Sequence, residues 1–249
     1  MGLLDLFRSP STCPVEDETR KWIDQRWQWL EEQFGREMVR RATVVLPRPE
    51  FFPDPYDGTQ ASVRIMLDRV CGHMGVDPAI IRMFLYNNSD RDVKDPPFSG
   101  QLAGSVGTYA PENGIHRIGI EISNLGNPLG LVATIAHELG HVLLLGSGRI
   151  TEEEADHEPL TDLLTVYFGM GVITSNAVVL ETNWRAGNIS GWSMSRQGYL
   201  AMPDFGYALA KYARLRDEDG PAWSGELRPD VRSPFKQAIR FLSLEESRS

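Results

Sequence analysis

His137 and His141 stand four residues apart in the string HELGH, with Glu138 directly after the first. On a helix, residues four apart lie about 40° apart around the axis. Two imidazoles then point the same way one turn apart, which suits two ligands of one tetrahedral zinc ion. Glu138 sits at the edge of that face, poorly placed as a third ligand on the same ion but able to reach a water on it. Zinc draws the pKa of such a water toward ~7, and a carboxylate within hydrogen-bond reach completes a general-base pair. The string alone is weak, since an H-E-x-x-H arises by chance in roughly one chain in a hundred of this length and histidine content. Its surroundings decide. Residues 129–146 are the most apolar stretch of the chain, interrupted by His137, Glu138 and His141. Exposed histidines on a surface helix would need a polar face that this stretch lacks, and such groups are costly to bury unless paired or metal-bound.

A catalytic zinc takes three protein ligands and keeps one position open. Leu144 and Ser147 stand where the metzincin pattern needs glycine and histidine, so that pattern is excluded. The downstream segment TEEEADHEPLTDLL offers Glu152, Asp156, His157 and Glu158 as third ligands. HELGH followed by Glu158-Pro159-Leu160-Thr161-Asp162 resembles the gluzincins, the thermolysin-like superfamily, over residues 104–170. The resemblance implies a zincin-like fold in which a second helix supplies Glu158 as the third zinc ligand. It also implies that Asp162 hydrogen-bonds a ligand histidine; Glu158 and Asp162, four apart, would share the helical face this requires. A rival alignment uses EEEAD, residues 152–156, which resembles the zinc-peptidase motif of regulatory proteases that cleave repressors and would make Glu152 the ligand. HEPLTDLLTVYFGMG also resembles a group of uncharacterised bacterial proteins, which gives no substrate.

Other polar residues read more blandly. Tyr199 and Tyr207 are candidates to stabilise an oxyanion, although each fits packing better, and Tyr167 falls off the face of Glu158. His116 lies on a strand that could form the edge where an extended peptide docks; His73 and His116 are otherwise ordinary surface residues. Cys13 reads as an inert free thiol rather than a cap on the metal, and Cys71 as a small core residue.

The elements that must position these residues follow from periodicity. Residues 16–40 look helical, with Ile23, Trp27, Leu30, Phe34 and Met38 on one stripe and Trp22 and Trp29 off it. Residues 42–46 read as a strand, 60–74 as a helix and 80–86 as a strand. Residues 105–110 and 115–123 flank Pro111-Glu112-Asn113-Gly114 as a hairpin, with Ile118, Ile120 and Ile122 predicted on one buried face. Asn127 as N-cap and Pro128 open the HELGH helix, and Gly146 ends it. Thr151 and Glu154 form a capping box for another helix, which Pro159 must kink or restart. Beyond residue 172 the chain looks mostly helical, most clearly at 198–216.

That order predicts an α+β, zincin-like fold: a small mixed sheet with a β-hairpin packed on the active helix, and a mostly helical C-terminal half. Residues 1–249 read as one catalytic domain, with a helical extension to residue 40, a sheet part at 41–126 and a helical part from 127. The net charge of -9 and the lack of a basic block argue against nucleic acid. Two distant cysteines and a start without basic or long apolar character point to a reducing, cytoplasmic setting, with no membrane span. The expected activity is that of a zinc metallopeptidase acting on a peptide or protein, with Glu138 as base. The alternative is a metal-stabilised interaction module without turnover; such a site favours a closed four-ligand shell and has no use for Glu138.

Overall fold

Asn127 and Pro128 start the helix that carries HELGH. In the computed structural model, residues 12–87, 107–112, 114–177, 179–186, 189–196 and 199–247 are described, the segments 179–186 and 189–196 as backbone alone. The Asn127 side chain accepts from the amide of Gly130 at 3.1 Å, and helix α4 runs Pro128–His141. It continues as a π-helical turn, Val142–Gly146. The left-handed glycine that closes this end is Gly148, φ 70°, not Gly146. On length and composition Pro128–Gly146 is apolar enough to cross a membrane, but 72% of that window is buried inside the fold. It is the core helix, packed on α3 (Gln60–Met74), α5 (His157–Tyr167), α6 (Gly171–Ala177) and β2 (Gly107–Glu112).

The sheet has the order β1-β3-β2, where β1 is Ile81–Tyr86 and β3 is Ile115–Glu121. β1 pairs parallel with β3, and β2 pairs antiparallel with it. Glu112 faces Ile115 in the register, so the hairpin turn is only two residues long, with Gly114 at φ 80°. β3 is central, paired along both edges, and its C-terminal part is buried on both faces. Ile118 and Ile120 are buried, and so is Glu121 between them and the turn, whose carboxylate accepts from the Ser123 amide at 2.9 Å. The predicted alternation therefore stops early, and Ile122, turned into a 3-10 segment, is 41% exposed.

The N-terminal helix is two helices. α1 covers Asp17–Phe34 and α2 covers Arg36–Arg41, separated by Gly35 at φ 82°. Ile23, Trp27 and Leu30 are buried as expected, but the break resets the phase: Val39 enters the core and Met38 is 37% exposed. Residues 42–46 are not a strand; this segment is held by the Val45 amide on the Gly169 carbonyl at 3.0 Å. Residues 151–156 form turns rather than a helix, and the capping box expected at Thr151 is not formed. Past α6 the expected run of helices is interrupted by a hairpin, β4 (Val179–Ala186) against β5 (Ile189–Arg196). Helices α7 (Met202–Leu215) and α8 (Pro229–Glu246) then pack on each other. The architecture is α+β, with a small mixed sheet and a largely helical remainder, around one apolar cluster that reaches from Val15 to Ile239. Residues 1–11, the first two positions of the predicted 105–110 strand, Asn113 and Gly198 lie outside the described residues.

Candidate metal centre

α4 and α5 approach closely because residue 140 of HELGH is glycine. A Cβ there would lie 2.6 Å from Cγ2 of Thr161, a distance real side chains do not reach. This contact brings Glu158, on the first turn of α5, under the two histidines of α4. His137, His141 and Glu158 each offer one ligand atom, and the three atoms lie within 4.8 Å of one another. Oε2 of Glu158 is 2.9 Å from Nε2 of His137 and 3.5 Å from Nε2 of His141. Donors 2.0–2.1 Å from a tetrahedral zinc sit about 3.3 Å apart, a spacing that the two Glu158 distances bracket.

The far nitrogen of each ring is fixed. Nδ1 of His137 donates to Oδ1 of Asp162 at 2.8 Å, and Oδ2 of Asp162 accepts from the amides of Tyr199 (2.6 Å) and Leu200 (3.1 Å). Thr161 donates its hydroxyl proton to the His157 carbonyl at 2.7 Å, which leaves its oxygen to accept from Nδ1 of His141 at 3.4 Å. Both rings therefore carry a proton on Nδ1 and turn Nε2 toward Glu158, the tautomer that metal-binding histidines use.

The electrostatics match a cation site. Burial opposes charge on His137, but the hydrogen bonds to Asp162 and Glu158 outweigh it and hold its pKa well above the ordinary value. Burial lowers the pKa of His141, against its bond to Glu158. Glu158 is itself held far below the usual carboxylate range, because its contacts with His137 and His141 overcome burial. A group that attracts positive charge this strongly between two imidazoles fits a divalent ion.

Glu138 is 5% exposed, and its Oε2 has no hydrogen-bond partner among the described residues. Burial pushes its pKa up to about 7, with His137 opposing and Glu158 reinforcing. A buried, unpartnered carboxylate oxygen in a core helix asks for an explanation, and a reacting group beside the ligand cluster supplies one.

The remaining sequence candidates scatter. Glu152 is exposed on the turn before α5 and is not among the converging ligand atoms. Asp156 is bound by Arg26 and Trp22 of α1. His157 turns Nδ1 to the Glu154 carbonyl at 2.8 Å, with Nε2 3.3 Å from Oε1 of Glu158. The ring of Tyr199 stacks on His137 with centroids 5.7 Å apart, and the residue is 48% exposed. Burial, with Glu158 and Asp162 adding to it, pushes its hydroxyl up to about 12, so it stays a donor. Tyr207 and Tyr167 are structural, bonded to Asp24 and to the Gly35 carbonyl. His73 is half-buried against Phe51 and Phe52 rather than a surface residue. His116 binds the hydroxyl of Tyr109 at 2.9 Å, and Tyr109 stacks on His141 at 5.8 Å. Cys13 is half-buried against the core and is not in the ligand group.

Sequence reasoning overlooked Thr161 and Tyr109. Thr161 had a signal, because it stands three residues from Glu158 and four from His157 on the ligand face. Tyr109 had none, since only the sheet register carries it to α4. Comparisons with protein-family models, curated proteins and solved structures find no match for this chain.

Proposed function

We propose that the chain is a zinc-dependent peptidase with a zincin-like arrangement of α4, α5 and the sheet. The observation that carries the reading is the convergence of His137, His141 and Glu158 beside the buried, unpartnered oxygen of Glu138. His137 Nε2, His141 Nε2 and a Glu158 oxygen would hold the metal. When bound there, zinc acidifies a water and polarises a carbonyl.

The chain's own groups account for the proton transfers. Glu138 Oε2 takes a proton from the attacking water as its oxygen bonds to the peptide carbonyl carbon. It delivers that proton to the amide nitrogen as the C–N bond breaks. Its raised pKa suits both directions of transfer near neutral pH, although a bound dication would draw that value down. Asp162 keeps the Nδ1 proton on His137, and Thr161 orients His141. Tyr199, stacked on His137 at the solvent side, is assigned the hydrogen bond to the carbonyl oxygen. Among the described residues the sheet edge beside α4 is β2 rather than the strand of His116, which is central, and an extended peptide can add a strand at β2.

The test is Glu138→Gln, which keeps the shape of the side chain and removes its basicity. The variant is expected to bind zinc like the parent and to lose peptide cleavage by ~10²–10⁴-fold or more. Zinc-dependent cleavage by the variant at the parent's rate would refute the role of Glu138. A folded parent that takes up no zinc in elemental analysis after reconstitution would refute the metal site.

A further inference from the structure

Two tryptophans of α1 lie off its core stripe. Trp22, Arg26 and Trp29, spaced four and three residues apart, share a second face of that helix. This face meets the segment that joins α4 to α5. Arg26 takes both oxygens of Asp156, Nε to Oδ2 and Nη2 to Oδ1, at 2.6 Å each. Trp22 Nε1 adds a 2.7 Å bond to Oδ2, and Arg26 Nη2 also reaches Oε2 of Glu154 at 2.9 Å. The guanidinium lies over the ring of Trp29, 5.7 Å from its centroid.

Asp156 is the N-cap residue of α5, yet its side chain makes no cap. An aspartate there ordinarily accepts from the first free amides of the helix. Here both oxygens are turned to a helix 130 residues away in the chain. Two residues further on is Glu158. Between them, His157 is fixed by the Glu154 carbonyl and sets Nε2 3.3 Å from the Glu158 oxygen that does not face the other two histidines. The position of Glu158 is thus fixed through contacts that end on α1.

We propose that Arg26 and Trp22 are positioning residues for the metal ligand Glu158, and that α1 is a clamp on the arm that carries it. The inference rests on the zinc reading above. A planar, bidentate arginine fixes direction as well as distance, which a ligand-bearing first turn needs and an ordinary surface loop does not. The adjacent face of α1, with Ile23, Trp27 and Leu30 in the core, keeps the helix docked when the clamp is cut.

The experiment is Arg26→Met in the full chain, with zinc affinity read by chelator competition and the ligand field by the visible spectrum of the cobalt(II) form. Affinity is expected to fall about tenfold, as for groups that orient a ligand from outside. The cobalt spectrum should shift, while far-UV circular dichroism is unchanged. Asp156→Asn should give a similar loss, and the double variant no further loss, because both act through one contact. Arg26→Lys keeps the charge without the fork and should fall between. Parental affinity and spectrum in Arg26→Met, or additive losses in the double variant, would overturn the proposal. If Arg26→Met does not fold, Trp22→Phe removes one bond from the clamp; a faster release of zinc supports the proposal and an unchanged one overturns it. A parent that binds no zinc overturns the metal reading itself, which a parent that binds it and an indifferent Arg26→Met does not.

Discussion

Asp162 fastens the candidate centre to the fold, and Asp162→Asn tests how. The residue is 4% exposed, and its carboxylate receives three donors: Nδ1 of His137 on one oxygen, and the amides of Tyr199 and Leu200 on the other. Asparagine replaces one of those oxygens with an NH₂ donor, so one side of the carboxamide must face a donor. The two backbone N–H groups cannot change character, whereas an imidazole can. The amide oxygen therefore stays with the backbone, and the NH₂ meets His137. His137 must then accept at Nδ1 and carry its proton on Nε2, the nitrogen that faces Glu158. Zinc would have to reverse that choice. A loss of ~10–100-fold in zinc affinity is expected, equal to about 1.4–2.8 kcal/mol. The metal-free protein also loses charge-assisted bonds at a buried site, about 1–3 kcal/mol. At ~2–4 °C per kcal/mol for a chain of this size, its melting temperature should fall by several degrees. Chelator competition and thermal melts of the metal-free protein measure the two effects separately. A variant that melts lower but binds zinc with parental affinity would refute the tautomer argument, because the aspartate would then serve the fold alone.

Three further outcomes follow from the same geometry. Gly140→Ala gains ~1 kcal/mol of helix propensity but drives a methyl into Thr161, at about 1–3 kcal/mol; a net loss is expected in denaturant melts, relieved by adding Thr161→Ser, which removes the opposing methyl. Zinc at a thousand times its dissociation constant should stabilise the protein by about 4 kcal/mol, and His141→Ala should abolish that thermal shift; an equal shift in the variant would place the ion elsewhere. Tyr199→Phe should leave zinc affinity near parental and lower kcat by ~10²–10³-fold, as the loss of one oxyanion donor does; an unchanged kcat would return Tyr199 to a packing role.

Local chemistry made much of the frame legible. The Asn127 cap, the Pro128 start and the apolar run fixed α4, and Gln60–Met74 emerged as read, with Thr59 capping it. The failures were of two kinds. Some signals were present and overlooked: Gly187-Asn188 between two runs of β-formers is a hairpin signal in the sequence, and the runs on either side of it pair as β4 and β5. Others are not local at all. The strand expected at 42–46 has the right residues, but a strand needs a neighbour, and this segment finds only the Gly169 carbonyl. Likewise, Ile122 alternates correctly in sequence but leaves the sheet, because Glu121 caps the following turn.

The two histidines and Glu138 were legible because one helix turn relates them, whereas Glu158 was reached through a resemblance, with Glu152 as its rival, and is the glutamate the fold brings to the histidines. Within TEEEADHEPLTDLL, E-x-x-x-D occurs twice, at Glu152/Asp156 and at Glu158/Asp162, and the capping signal at Thr151 favoured a helix through the first. What separates the copies is Asp156, held by Arg26 and Trp22 from the other end of the chain. That tie keeps 151–156 in turns, so α5 begins at His157. Pro159 then has a different meaning from the one periodicity assigns it. The first i→i−4 bond of the helix is from the Leu160 amide to the Asp156 carbonyl, at 2.9 Å, so the missing N–H of Pro159 removes no helical bond. In a first turn, where the amides have no partner within the helix, proline interrupts nothing and its fixed φ suits the helix. It marks a helix that starts within the two residues before it, and that start puts Glu158 and Asp162, rather than Glu152 and Asp156, on the face toward His137.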